Sequence, residues 1–89
     1  MKGQNLWKVA KKIIASGNML LSKNPDIFLP KLWPAYFQKT KGCYIWDLEG
    51  KKYIDMSTMS VGTNVLGYNN TKVDNAVKNI IKKGNMSTL

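Results

Sequence analysis

Short polar side chains are concentrated in residues 57–64, where the sequence reads Ser-Thr-Met-Ser-Val-Gly-Thr-Asn. Hydroxyl and amide groups on a backbone made adaptable by Gly62 can exchange hydrogen bonds without filling a cavity. Ligand sites use a few such groups to orient a small polar molecule. An ordinary connection has the same composition, so the segment predicts either a ligand-binding loop or a plain polar linker.

Two carboxylates, Asp47 and Asp55, lie at the ends of strand-like segments. Paired carboxylates can serve in acid–base chemistry, but no third group accompanies this pair, and we expect both to stabilise turns. The chain has one cysteine, Cys43, so it cannot form an internal disulfide. Because it also has no histidine, it lacks the usual ligands of a transition metal. We therefore assign no catalytic residue and no metal site, and we expect Cys43 to be a buried packing thiol.

The chain of 89 residues carries a formal net charge of +9, and all fourteen positive side chains are lysines. They occur singly or in pairs, without the basic run typical of nucleic-acid binding. A solvated lysine surface, balanced by acidic residues in another part of the protein, is therefore favoured over nucleic-acid binding. Trp46 and Tyr53 could still stack bases on a sheet, which leaves a small basic module for nucleic acid or another polyanion as the alternative function. Without a membrane-spanning run or a signal-peptide core, the sequence favours a cytoplasmic protein.

A β-hairpin is the clearest local signal in the sequence. Residues 43–46 and 51–55 are rich in aromatic and β-branched side chains, and residues 47–50 supply turn chemistry between them. A strand over residues 35–39 would complete a three-stranded antiparallel meander. Together with the helices described next, this pattern predicts an α+β fold.

Apolar residues spaced three and four positions apart predict an amphipathic helix near each end of the chain. The first covers about residues 4–16, with Asn5 as the candidate N-cap and Gly17 as the stop. Its apolar stripe consists of Leu6, Val9, Ala10, Ile13 and Ile14. The second covers residues 71–83, with Asn70 or Thr71 as the candidate N-cap, and ends at Gly84. Its stripe consists of Val73, Ala76, Val77, Ile80 and Ile81.

Between the first helix and the strands lies an apolar link that contains three prolines and lacks helical periodicity. A solvated linker would not carry so many large apolar side chains, so we expect the link to be buried against another domain or subunit. The chain then divides into a helical segment (1–18), the link (19–34), the strands (35–56), the polar loop (57–69) and the second helix (70–84).

Thirteen residues in this order and spacing resemble the N-terminal region of the class III aminotransferases, and most of all the glutamate-semialdehyde aminomutases and their relatives. The matching residues are Gly42, Trp46, Asp47, Gly50, Tyr53, Asp55, Gly62, Leu66, Gly67, Val73, Ala76, Val77 and Gly84. The resemblance implies a fragment from the N-terminal, small-domain region of a fold-type I enzyme that depends on pyridoxal phosphate. It also implies that the large domain, which supplies the lysine that binds the cofactor, lies outside this chain.

The same resemblance implies which parts of the chain serve the enzyme. The polar loop would face a small amino, keto or amino-aldehyde substrate, with Ser60, Val61 and Gly62 as its candidate residues. Val61 stands where the aminomutases carry an aromatic residue. Those enzymes also bind a substrate carboxylate through an arginine in the link; this chain has no arginine, and Lys23 is the nearest cation. The resemblance further implies that the chain contributes to the contacts of a homodimer, and that the isolated chain is not catalytically active.

Overall fold

The computed structural model describes residues 1–57 and 62–84 and has the predicted α+β composition. Helix α1 covers Lys2–Ile13 and helix α2 covers Pro25–Phe28. The strands are β1 (Phe37–Lys41), β2 (Tyr44–Asp47) and β3 (Lys52–Ile54), and helix α3 covers Thr71–Ile81. Two 3₁₀ turns, Ala15–Gly17 and Leu21–Lys23, lie between α1 and α2.

The three strands form the predicted antiparallel sheet in the order β1-β2-β3. Strand β1 begins later than predicted because Ala35 has a φ of +67° and Tyr36 N–H donates to the Pro34 carbonyl, which folds the chain back before the strand starts. Lys41 pairs with Tyr44, so β1 and β2 are joined by only two residues. Cys43 lies in this connection and is exposed; the expectation of a buried thiol was wrong, because the residue belongs to the turn rather than to β2.

Helix α1 packs against the link, and Trp7 is the centre of this contact, with 2% of its surface exposed. Trp7 Nε1 donates to Asp26 Oδ2 over 3.2 Å, and Gln4 Nε2 donates to the Trp33 carbonyl. The buried face of α1 consists of Gly3, Gln4, Trp7 and Ala10. The prediction that the apolar stripe forms the buried face was therefore largely wrong. Four of its five residues are 45–78% exposed, namely Leu6, Val9, Ile13 and Ile14.

The ends of the helices differ from the predictions for local reasons. Helix α1 begins after Met1, so Asn5 is inside the helix rather than at its N-cap. It ends at Ile13 because Ile14 is extended, with a φ of −108° and a ψ of 129°. In α3 the Asn70 side chain accepts a hydrogen bond from Val73 N–H, as the capping pattern predicts.

The apolar side chains of the link and of α3 remain largely uncovered by the described residues. Short helix α2 is capped by the Asn24 side chain, and Phe28 stacks on Trp33 with ring centroids 4.7 Å apart. The large apolar side chains of the link with at least 40% exposure are Met19, Leu20, Leu21, Ile27, Phe28, Leu29 and Leu32. Helix α3 buries none of its residues. A surface of this kind favours association with another apolar surface.

The close approach of α1 to the link predicts that Gly3→Ala destabilises the chain. An added Cβ would overlap the Pro34 carbonyl oxygen, and the overpacking should lower the free energy of unfolding by about 1–3 kcal/mol. A decrease in the free energy of unfolding would indicate this close contact, because Gly→Ala inside a helix otherwise stabilises by about 0.5–1 kcal/mol. Urea unfolding followed by circular dichroism measures the change. Asn5→Ala, at an exposed position of the same helix, is the control, and a stabilised Gly3→Ala variant would contradict the packing.

The exposed link predicts that the isolated chain binds a hydrophobic dye or associates with itself. Phe28→Ser with Trp33→Ser should lower the fluorescence of bound dye and shift sedimentation toward the monomer, because both stacked rings are removed. The hairpin should persist, since it lies in a separate part of the chain. Lys8→Ser with Lys12→Ser, at exposed positions of α1, is the control. A strictly monomeric wild-type chain without dye binding would contradict the prediction.

Candidate functional site

The turn between β2 and β3 is held by the Asp47 carboxylate, which is 4% exposed. Its Oδ1 accepts from the N–H groups of Glu49 and Lys51, and its Oδ2 accepts from the Tyr53 hydroxyl, each over 2.9 Å. Burial on its own would raise the pKa of Asp47, but these hydrogen bonds and the Lys51 charge outweigh it and lower the pKa. Asp47 thus has the turn-stabilising role expected from the sequence.

A second carboxylate, Asp55, lies where the polar loop leaves the sheet. It accepts hydrogen bonds from the N–H and hydroxyl of Ser57, and from the Tyr68 hydroxyl over 2.6 Å. Asp55 is anchored in turn by its own N–H, which donates to the Cys43 carbonyl over 2.8 Å. Because Ser57 opens the loop and Tyr68 lies near its end, the Asp55 side chain contacts both ends of the loop.

The backbone closes the loop at the same place. Gly42 and Tyr68 exchange two N–H···O bonds of 2.9 Å, which form an isolated antiparallel bridge. Gly67 makes this approach feasible: it has a φ of +84°, and an added Cβ would lie 3.1 Å from Gly42 Cα. The base of the loop is therefore fixed to the turn between β1 and β2, while residues 62–66 form a turn beyond it.

Lys23, the candidate for a substrate carboxylate, lies close enough to Asp55 for its charge to act there. Burial would raise the pKa of Asp55, but the hydrogen bonds from Ser57 and Tyr68, helped by the positive charge of Lys23, lower it. Lys23 is half-buried, whereas the other lysines are exposed. The positive charge of Lys23 thus acts on Asp55, although the two residues are more than thirty positions apart in the sequence.

The predicted residues of the loop itself are only partly described. Ser60 and Val61 lie outside the described residues. Gly62 is exposed, has a φ of +74°, and would have no heavy atom within 4 Å of an added Cβ. Tyr68, which the sequence reasoning did not assign to the site, contributes both a hydroxyl and a backbone bridge. Its only sequence signal is its place between Gly67 and the N-cap of α3.

The described residues do not by themselves form a pyridoxal phosphate site. Such a site needs an amine for the cofactor carbonyl, a carboxylate for the ring nitrogen and donors for the phosphate. Among residues 1–57 and 62–84 no lysine is fully buried, and the Asp47 and Asp55 carboxylates are already bound by turn amides and tyrosine hydroxyls. The side chains present thus serve to position the loop and to place a positive charge beside it.

The hydrogen bonds of Asp55 predict a component of stability that acid removes. A carboxyl group whose pKa is lower in the folded chain stabilises the fold above its unfolded pKa, which is about 3.9. That contribution is lost as the pH falls through the folded pKa, so the free energy of unfolding should decrease below about pH 4. Asp55→Asn should be less stable than wild type at pH 7 and should lose less stability on acidification.

Urea unfolding from pH 7 to pH 2 measures this dependence. Glu49→Gln, which removes an exposed carboxyl group from the neighbouring turn, is the control and should keep most of the wild-type pH dependence. Identical pH profiles for Asp55→Asn and wild type would show that Asp55 is not held as described.

Comparisons with known proteins identify the family of the chain. Residues 30–89 match the family described as aminotransferase class-III. Over 83 residues the chain is 34% identical to a glutamate-1-semialdehyde 2,1-aminomutase of Methanocaldococcus jannaschii, covering 93% of this chain and 18% of that protein. It is 31% identical over 81 residues to a 3-aminobutyryl-CoA aminotransferase of Cloacimonas acidaminovorans, covering 91% of this chain and 19% of that protein.

A third relative, an adenosylmethionine-8-amino-7-oxononanoate aminotransferase of Aquifex aeolicus, is 43% identical over 54 residues, which is 60% of this chain and 12% of that protein. No solved structure matches the chain significantly. The chain spans less than a fifth of the length of these relatives. The family match covers more than half of the chain, and it includes the sheet, the polar loop and α3. The chain belongs to the class III aminotransferase family.

Proposed function

We propose that this chain is the N-terminal part of a pyridoxal-phosphate-dependent aminotransferase or aminomutase of fold type I, and that it contributes a substrate-side loop. The observation that carries the proposal is the closed base of the loop, where Asp55, Tyr68 and Gly42 hold the two ends together. A loop anchored in this way can present its short polar groups to a substrate from a fixed position. The cofactor and its lysine would belong to a large domain outside this chain.

The substrate side of the proposal rests on charge. The charge of Lys23 acts on Asp55 at the base of the loop, and an amino acid or related amino-aldehyde substrate carries a carboxylate that this charge could attract. Lysine lacks the two-pronged geometry of arginine, so it would select for negative charge rather than for one carboxylate geometry. The names of the relatives refer to different substrates, so the proposal goes no further than a small amino, keto or amino-aldehyde substrate.

Contacts with the rest of the enzyme and with a second subunit form the last part of the proposal. The apolar link and the uncovered stripe of α3 supply the surface for them. Burying one large apolar side chain contributes roughly 1.5–3 kcal/mol, so several together would give a stable interface. The exposed helix and link are then expected to be interior in the assembled enzyme.

We expect the isolated chain not to catalyse amino transfer, because the side chains of residues 1–57 and 62–84 do not by themselves form the cofactor site. Titration of the purified 89-residue chain with pyridoxal phosphate should give no saturable, stoichiometric absorbance band. Weak imines with surface lysines would rise without saturation and would persist in each single-lysine variant. A saturable band that one lysine substitution abolishes would contradict the prediction.

The positive part of the proposal is tested on the protein encoded by the reading frame extended beyond residue 89. This longer protein should bind pyridoxal phosphate and transfer amino groups. Lys23→Ala should raise the KM for a carboxylate-bearing substrate by about tenfold with a smaller change in kcat, as expected for lost binding of a charge. Lys8→Ala, on the exposed side of α1, is the control. An extended protein that binds no cofactor would disprove the proposed function.

A further inference from the structure

One face of the sheet combines lysine and aromatic side chains. Of its lysines, Lys41 is engaged at the end of the loop, where its Nζ donates to the Asn69 carbonyl over 2.6 Å. Residues directly opposite each other in an antiparallel pair share a face, so the strand register identifies its members. We call it the lysine–aromatic face; it consists of Lys39, Lys41, Tyr44, Trp46, Lys52 and Ile54. Thr40, Ile45 and Tyr53 lie on the opposite face. Trp46 and Tyr53 therefore cannot form the joint stacking surface considered from the sequence.

Two lysines of this face are held over the aromatic rings. Lys52 Nζ lies 3.7 Å from the centroid of the Tyr44 ring and 5.5 Å from that of Trp46. Lys39 Nζ, on strand β1, lies 4.9 Å from the centroid of the Trp46 ring on strand β2. Because neighbouring strands are about 4.8 Å apart, the Cα atoms of Lys39 and Lys52, two strands apart, are separated by about 10 Å. Cation–π contact restrains both side chains and so lowers the entropy lost on binding.

These charges have no carboxylate partner among the described residues. The ion pairs there join Lys11 to Asp26 and the N-terminal amine to Glu49. Asp47 is bound within its turn, and Asp55 is bound to Ser57 and Tyr68. The lysine–aromatic face therefore presents positive charge next to exposed ring and aliphatic surface, with Ile54 60% exposed.

We propose that the lysine–aromatic face binds an acidic segment of a separate protein. Carboxylates of the partner would pair with Lys39 and Lys52, and an apolar side chain would contact Ile54 and Tyr44. Tyrosine and tryptophan are enriched among the residues that dominate protein interfaces, and charged groups around them give specificity. This inference rests on Lys39, Lys52 and the rings between them, which make no contact with the loop among the described hydrogen bonds, and it does not depend on the proposed function.

Three physical arguments favour this occupant over others. A second copy of the chain, with its net charge of +9, would be repelled from a cationic face. Parts that stay permanently assembled meet through more apolar interfaces, and the apolar surface of this chain lies on α1, the link and α3 instead. A nucleic acid would gain only about three phosphate contacts here, against roughly six to ten in a firmly bound complex.

The positions of the Tyr44 and Trp46 rings also argue against a nucleic acid as the binding partner. Base stacking needs free ring faces, whereas the faces of Tyr44 and Trp46 are occupied by the ammonium groups of Lys52 and Lys39. A carboxylate can pair with either ammonium group without displacing it from the ring. The geometry is thus ready for carboxylates and would have to be rearranged for bases.

The test titrates the 89-residue chain with a Glu-Leu-Glu-rich peptide and follows backbone and indole N–H signals by NMR. The indole signal of Trp46, assigned through Trp46→Phe, and the amides of Lys39 and Lys52 should shift, and the matching Gln-Leu-Gln peptide should leave them unmoved. Lys39→Glu with Lys52→Glu should weaken binding at least tenfold, because two attractions become repulsions.

Lys8→Glu with Lys12→Glu is the matched control: it changes the net charge equally on exposed positions of α1 and should keep the affinity within about threefold. Lys39→Arg with Lys52→Arg should also bind, since arginine keeps both the charge and the ring contact. Dispersed amide signals verify folding, and Lys39→Gln with Lys52→Gln replaces the glutamate variant if that one unfolds.

Several outcomes would overturn the inference. These are absence of shifts at the face, equal loss of binding in the α1 control, failure of the folded arginine variant to bind, and displacement of the peptide by equimolar oligo(dT). The last result would identify a nucleic-acid surface instead of a protein-binding one.

Discussion

Few of the apolar side chains of the described residues are buried, and this small hydrophobic core constrains the rest of the structure. Trp7, Ala10 and Ile45 are the buried hydrophobic residues of the described part. The radius of gyration is 15.5 Å, whereas a compact chain of this length has about 12 Å. A stable domain needs apolar burial to offset the entropy of ordering its chain. Individual contacts must therefore hold the elements in place, and much of the apolar surface of the described residues stays uncovered.

Three such contacts organise the molecule. Trp7 fixes α1 to the link, Asp47 fixes the turn between β2 and β3, and Asp55 fixes the loop to the sheet through Tyr68. Two of the three are carboxylates that accept hydrogen bonds from backbone amides and from a tyrosine hydroxyl. These two acidic residues of the lysine-rich chain thus fix local geometry, and Lys39 and Lys52 have no carboxylate partner among the described residues.

The sheet separates two kinds of surface. Its lysine–aromatic face is cationic and aromatic, whereas Asp47 and Tyr53 stabilise the turn from the other face. Most of the apolar surface lies elsewhere, on the exposed side of α1, the link and α3. This separation is physically consistent with one set of contacts to the body of an enzyme and another to a soluble acidic partner, because apolar and charged interfaces differ in permanence.

The sequence by itself determined the elements whose signals are local. The hairpin around Asp47, the Asn70 cap of α3 and the order of the elements follow from turn chemistry, capping and periodicity. It also indicated the family, since the matching glycines and aspartates have fixed spacing. Boundaries were less well determined: the extended Ile14 and the positive φ of Ala35 shifted the end of α1 and the start of β1.

Only the tertiary structure decided which face of α1 is buried and what closes the loop. Periodicity selected the more numerous aliphatic residues of α1, but Trp7 buries more surface than any of them, and Gly3 lets the helix backbone approach Pro34. The sequence likewise could not place Tyr68 against Gly42 or show that the charge of Lys23 acts on Asp55, because these pairs are distant in the chain. Such contacts depend on how separate elements meet in space, and local side-chain patterns carry no record of that.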